Sequence, residues 1–247
     1  MAVSLTRFKT ARPGAGSGHV FEQWLIMTGV LVFVLWVAQQ YNVLTTLVAG
    51  DMTRVSLLIS LIFIVTWGYC GIRSAWLSRE TARFERVIRD VDNGARLQRS
   101  DTGALTVDDR IQPESAASAY LASLLQLRSH RDGPPPDTVV DVLGERLAGA
   151  HEMGWFICGA LIKLGLLGTV IGFIVMLATV NSTQSFDVAA IQQLLVGMSQ
   201  GMRVALYTTL VGLTTSMVLS LQYLLLDRAA DRLQARIVTF AQEQRLG

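Results

Sequence analysis

Four apolar runs, at residues 24–39, 55–76, 155–180 and 196–226, decide most of what this chain can become. Each approaches or exceeds the ~20 apolar residues that a helix needs to cross bilayer hydrocarbon. Within a bilayer, only structures that pair every backbone N–H and C=O internally are stable, which favours helices here. Composition agrees: 51% of the 247 residues are apolar and mean hydropathy is +0.42. Charged residues make up 16%, against about 25% in an ordinary soluble domain. The expectation is an all-α integral membrane protein with four transmembrane helices. The runs come in two pairs, with a short turn inside each pair and about 80 residues between the pairs.

Basic residues near the span ends set orientation. Arg7, Lys9 and Arg12 precede the first span; Arg73, Arg79, Arg83, Arg86 and Arg89 accompany the end of the second; Arg228, Arg232 and Arg236 follow the fourth. The two short turns, 42–53 and 181–190, carry little positive charge, with Arg54 just after the first as the main exception. Both termini and the long loop are therefore expected in the cytoplasm, with the turns outside, in a multi-pass protein of the bacterial inner membrane. A basic leader before a short apolar run also fits a signal peptide cleaved near Ala49 and Gly50. The two tryptophans of the first run, Trp24 and Trp36, favour a retained span.

The pattern divides the chain into an N-terminal segment at 1–23, a first helix pair at 24–76, a loop at 77–136, a second pair at 137–226 and a C-terminal helix at 227–247. From 77 to 93 arginines recur at helical spacing, with Glu80 and Glu85 among them, as on a solvated helix or a docking surface. Residues 94–112 read as polar, with turns at Gly103 and at Asp108-Asp109. A short amphipathic helix follows, carrying Leu121, Leu124, Leu125 and Leu127. Pro134, Pro135 and Pro136 stop it, and Asp137 stands as an N-cap. The period of Val139, Val140, Leu143 and Leu147 predicts one helix over 137–180, about 65 Å long at 1.5 Å per residue. That is twice the hydrocarbon thickness. The last two spans are thus expected to extend into the cytoplasm, without an enzyme-sized globular domain.

The third span spends unusual residues in its middle. Gly165, Gly168 and Gly172 share one narrow face with Thr169. Glycine costs a helix interior about 1 kcal/mol relative to alanine, but small residues let a second backbone approach closely. The fourth span repeats the device with Gly197, Gly201, Ala205, Thr208, Gly212, Thr215 and Ser216 at steps of three and four. Leu206, Leu210, Leu213, Val218 and Leu219 are assigned to lipid. Two readings of the small faces stand: plain packing with threonines bonded to their own carbonyls, or a wall around a polar interior.

None of the four spans contains Asp or Glu. Lys163 and Arg203 lie near span ends, where snorkelling is expected. His19, His130 and His151 fall outside the spans, so they offer no intramembrane relay. Cys70 and Cys158 read as buried thiols, and no Cys/His spacing points to a metal. The net charge of +2 gives no nucleic-acid footprint. A chain that moves ions with such spans needs a titratable group from elsewhere.

Leu164-Gly165-Leu166-Leu167-Gly168-Thr169-Val170-Ile171-Gly172, followed by Ala205-Leu206-Tyr207-Thr208-Thr209-Leu210-Val211-Gly212-Leu213, resembles the paired signature of the MotA/TolQ/ExbB proton-channel family. The resemblance covers the last two spans. Four spans with both ends inside look like the MotA branch, and the glycine–threonine motif looks like TolQ and ExbB. The resemblance implies a homopentamer around the single-span helices of a MotB/TolR/ExbD-like partner, in two copies, which supplies the membrane aspartate. It implies an ion pathway past Thr169 and Thr209, with Thr208 beside it, and packing through Gly165, Gly168, Gly172, Gly201, Ala205 and Gly212. No cofactor is implied beyond the transported H+ or Na+. The chain departs from ExbB-type members at Val204, where they carry glutamate, and at Val218, where they carry proline.

Two other classes compete with an ion-driven motor subunit. One is an oligomeric membrane scaffold that passes no ions. The other is an independent carrier, which the lack of membrane acids and of inverted half-helices disfavours.

Overall fold

The computed structural model describes residues 19–41, 54–100, 105–108, 110–113, 115–129, 136–181 and 188–244. Its elements are α1 (His19–Gln40), α2 (Val55–Asp92), β1 (Leu97–Arg99), β2 (Leu105–Val107), β3 (Arg110–Ile111), α3 (Ala116–Ser129), α4 (Pro136–Ala148), α5 (Ala150–Asn181) and α6 (Val188–Glu243). Stretches in α1, α2, α5 and α6 are each long and apolar enough to cross a membrane. The basic leader, Gly50, the turn at 42–53, residues 182–187 of the turn expected at 181–190, His130 and the prolines Pro134 and Pro135 lie outside the described residues, as does the side chain of Asp137, while Asn181 and residues 188–190 are helical.

Two helices outrun any bilayer. At 38 and 56 residues, α2 and α6 extend about 57 and 84 Å, against ~30 Å of hydrocarbon. Their sequences change character along the way. Beyond the apolar stretch, α6 buries Leu226, Ala230, Leu233, Ile237 and Phe240, and α2 buries Leu77, Phe84 and Val87. These three- and four-residue steps put one apolar stripe on each helix. The stripes meet, with Phe84 and Phe240 edge-to-face at 5.7 Å. Leu121 and Leu124 of α3 and Leu143 and Leu147 of α4 complete this second core.

Within the apolar layer α5 and α6 form the central antiparallel pair. Buried α2 side chains Ile59, Phe63 and Trp67 form a cluster with Leu161 and Leu219. Outermost, α1 lays Trp24 over Gly71 and presents the Thr28 hydroxyl to the Trp67 ring N–H at 3.1 Å. Both cysteines are free and buried, as the sequence led us to expect. Leu206, Leu210 and Leu213 are exposed, as a lipid face requires, and Val218 is half-buried. Leu219 is fully buried and corrects that assignment. It shares a helix face with Ser216 and Tyr223 and belongs to the cluster that Leu161 of α5 forms with Ile59, Phe63 and Trp67 of α2.

Two features of the loop depart from expectation. Residues 97–111 include a small antiparallel sheet in the order β1-β2-β3, with Leu97 opposite Val107 and Thr106 opposite Ile111. Leu105 and Val107 are buried in it. Strands of two or three residues are too short for alternation to show in sequence. The turn at Asp108 stands, with φ at 49° and its carboxylate accepting the Arg96 N–H at 3.1 Å, while Gly103 and Asp109 lie outside the described residues.

The second departure is that 137–180 is not one helix, since α4 and α5 meet at a turn on Gly149. A helix end leaves carbonyls unpaired, and here Arg73 of α2 donates Nη2–H to the Leu147 carbonyl at 3.0 Å. The same guanidinium stands 4.6 Å over the Trp76 ring. A distant residue thus takes the bond that the next helical turn would have made. Arg73→Ala is expected to cost about 1–2 kcal/mol of stability. It should also speed tryptic cleavage after the exposed Arg146. Unchanged cleavage would show that Arg73 does not hold the joint.

Candidate functional site

The facing surfaces of α5 and α6 approach to backbone distance at each small residue. A Cβ placed on Gly165 would lie 3.3 Å from the Gly212 Cα, and one on Gly168 would lie within 2.4 Å of the Thr208 side chain. On Gly172 it would lie 2.7 Å from the Ala205 nitrogen and the Gly201 oxygen. A Cβ on Gly201 would be as close to the Gly172 oxygen. These pairings follow one antiparallel register. Each glycine is where the sequence put it because a side chain there would push two backbones apart.

The three threonines occupy different positions in this contact. Thr208 is fully buried against Gly168, and its hydroxyl donates to the Val204 carbonyl of its own helix at 2.9 Å. Thr209 reaches across, donating to the Gly165 carbonyl of α5 at 3.2 Å. One turn on from Gly165, Thr169 donates to the Leu166 carbonyl at 2.5 Å and stays half-exposed. It borders an apolar groove of about 410 Å³ with Val170, Phe173, Met176 and Met202. In that groove the Thr169 hydroxyl is the polar side-chain group. Thr169 and Thr209 thus come within about one helical turn of each other, while Thr208 sits inside the packing. Val204 is buried on α6, and Lys163 and Arg203 are exposed.

A sequence model of the MotA/TolQ/ExbB proton channel family matches residues 114–239, just over half of the chain. The chain belongs to that family. The matched region runs from the threshold of α3 into the last turns of α6, so it includes both glycine faces. Searches of curated proteins and of solved structures return no match. As a MotA/TolQ/ExbB protein, this is a multi-pass membrane protein of a channel family.

The MotA/TolQ/ExbB pair carries polar contacts beyond those of the threonines. Ser216 donates to the Cys158 carbonyl across the helices at 2.8 Å. Further along, Asp227 of α6 accepts the Trp155 ring N–H at 2.7 Å, and its other oxygen lies 2.6 Å from Nδ1 of His151. His151 is 3% exposed. In the loop, Glu80 is 1% exposed and accepts the Ala116 N–H at the start of α3, and Glu85 lies 3.4 Å from Arg236. The solvated-face reading of 77–93 is corrected for Glu80. One signal was available for His151: the register that pairs Gly168 with Thr208 also sets Gly154 against Tyr223 and, a turn further, His151 against Asp227. For Glu80 there was none, because its partner is a backbone N–H in another element.

Proposed function

We propose that this chain is the multi-copy subunit of an ion-driven motor in the bacterial inner membrane, with both termini and the long loop in the cytoplasm. In this reading it forms a homopentamer around two copies of a single-span MotB/TolR/ExbD-like partner. Flow of H+ or Na+ turns one part against the other for transport, envelope maintenance or motility. The observation that supports it best is Thr169 on the open groove of a closely packed α5–α6 wall, in a chain whose spans contain no carboxylate. A carboxylate in a low-dielectric setting is costly to ionise, so it holds a proton or cation until polar groups are offered. Threonine hydroxyls offer hydrogen bonds to such a group without adding a competing charge. The acid itself comes from the partner, whose single helix fits an apolar groove.

Ion flux into vesicles containing the chain and its partner tests this. Thr169→Ala and Thr209→Ala should each lower flux about tenfold, the value of one hydrogen bond to a charged group. Loss of the partner's aspartate should abolish it. Flux indifferent to both threonines would sink the assignment of the pathway. A stable assembly with its partner that carries no flux would leave the scaffold.

A further inference from the structure

Where α5 leaves the turn at Gly149, its first turn carries a histidine in an unusual setting. The His151 side chain is 97% buried yet lies 2.6 Å from an Asp227 oxygen, close but not aligned as an ideal N–H···O bond. Two bare lone-pair atoms repel at that separation, so a proton belongs between them. The other Asp227 oxygen is held by Trp155. Around the imidazole stand Arg73 from α2 and Tyr223, Asp227 and Asp231 from α6. Glu145 of α4 and Glu152 of α5 line the adjoining cavity of about 360 Å³, which His151 also borders. Asp227 and Asp231 favour a charged imidazole, while burial and Arg73 oppose it. Burial is the largest of these influences and holds the imidazole below its ordinary range, so the ring rests neutral and is open to accept a proton.

We propose that His151 and Asp227 form a proton-exchange site where the α5–α6 pair passes into its polar extension. A hydronium ion in the cavity gives its proton to the imidazole and leaves as water; release reverses the step, with a water taking the proton. Asp227 orients the ring and neutralises the imidazolium. The site lies eighteen residues along α5 from Thr169, about 27 Å away, so it is separate from the threonines. Because the pair bridges α5 and α6 beside the Gly149 joint, the charge on His151 sets how firmly the joint is tied to α6. The inference rests on the reading of this chain as an ion-conducting subunit, and it selects H+ over Na+.

The chain has three histidines, so His19→Gln and His130→Gln leave His151 as the single imidazole signal in nitrogen NMR of the solubilised full-length protein. His151 should titrate within the range over which the protein stays folded, with a midpoint pushed below that of a free imidazole by burial, and Asp227→Asn should lower its midpoint by about one unit. A ring that does not titrate in that range, or that ignores Asp227→Asn, overturns the proposal. The functional arm uses His151→Asn, which keeps an N–H donor near the Nδ1 position without a titrating ring. With the partner in vesicles, this variant should assemble normally but flatten the dependence of proton flux on the pH at the loop side. A pH profile identical to wild type overturns the exchange site while the channel reading stands. If wild type carries no flux but His151 still titrates with Asp227, the channel reading fails instead. Loss of assembly in His151→Asn, with the titration absent, assigns the pair to packing alone.

Discussion

Gly172→Ala should destabilise the α5–α6 pair even though alanine is the better helix former. The added methyl would meet the Ala205 nitrogen and the Gly201 oxygen at 2.7 Å and the Ala205 Cβ at 2.9 Å. Two of these are backbone atoms of a helix and cannot rotate away, so the helices must separate. Overpacking of this kind costs about 1–3 kcal/mol, and Gly172→Leu should exceed that range and prevent a stable pair. Separation would also pull Thr209 from the Gly165 carbonyl and widen the groove beside Thr169, so ion flux should fall with stability. The control is Gly159, also within α5, where a new Cβ meets nothing within 4 Å. Gly159→Ala should be neutral or stabilising by up to about 1 kcal/mol, since only helix propensity acts there. Thermal unfolding in detergent, read beside ion flux, separates the two substitutions. Equal melting temperatures would show that α5 and α6 do not pack at the described distance.

Glu80→Ala should release α3 and the sheet from the long helices. Glu80 sits inside the loop core, where its carboxylate accepts the Ala116 N–H. The start of α3 is otherwise served by Ser115, whose hydroxyl accepts the Ser118 N–H at 3.0 Å. A helix N-terminus carries unpaired N–H groups and a partial positive charge, so a buried carboxylate satisfies both at once. Alanine removes the acceptor and leaves a cavity, at about 2–3 kcal/mol. Glutamine keeps the shape and a carbonyl but loses the charge, at about 1 kcal/mol. Limited proteolysis of the loop and hydrogen exchange at the start of α3 should rank wild type above Gln and Gln above Ala. If all three behave alike, Glu80 does not hold α3.

Both predictions act through contacts that sequence shows unequally. The glycine faces could be read because a helix in a membrane has one period, and a glycine in it needs a reason. Residues 165, 168 and 172 therefore announced a close neighbour, and 201, 205, 208 and 212 showed which one. Span number followed from apolar length, since a bilayer allows few ways to bury twenty such residues. The loop core was partly visible in Leu121, Leu124, Leu143 and Leu147, whose spacing fits a helix face.

Three things were settled only by the fold. The joint at Gly149 depended on Arg73, a residue that in sequence reads as one more positive charge at a span end. The small sheet formed from runs too short to carry a pattern. Glu80 read as part of a solvated face and His151 only as lying outside the spans, yet both are buried beside a partner from another element. Sequence determined the four spans and the matched glycine faces, because helical period and apolar length are local quantities. Tertiary structure decided which polar side chains go inside, because a buried charge is tolerated only where a distant chain segment supplies its partner, and no local pattern encodes that meeting.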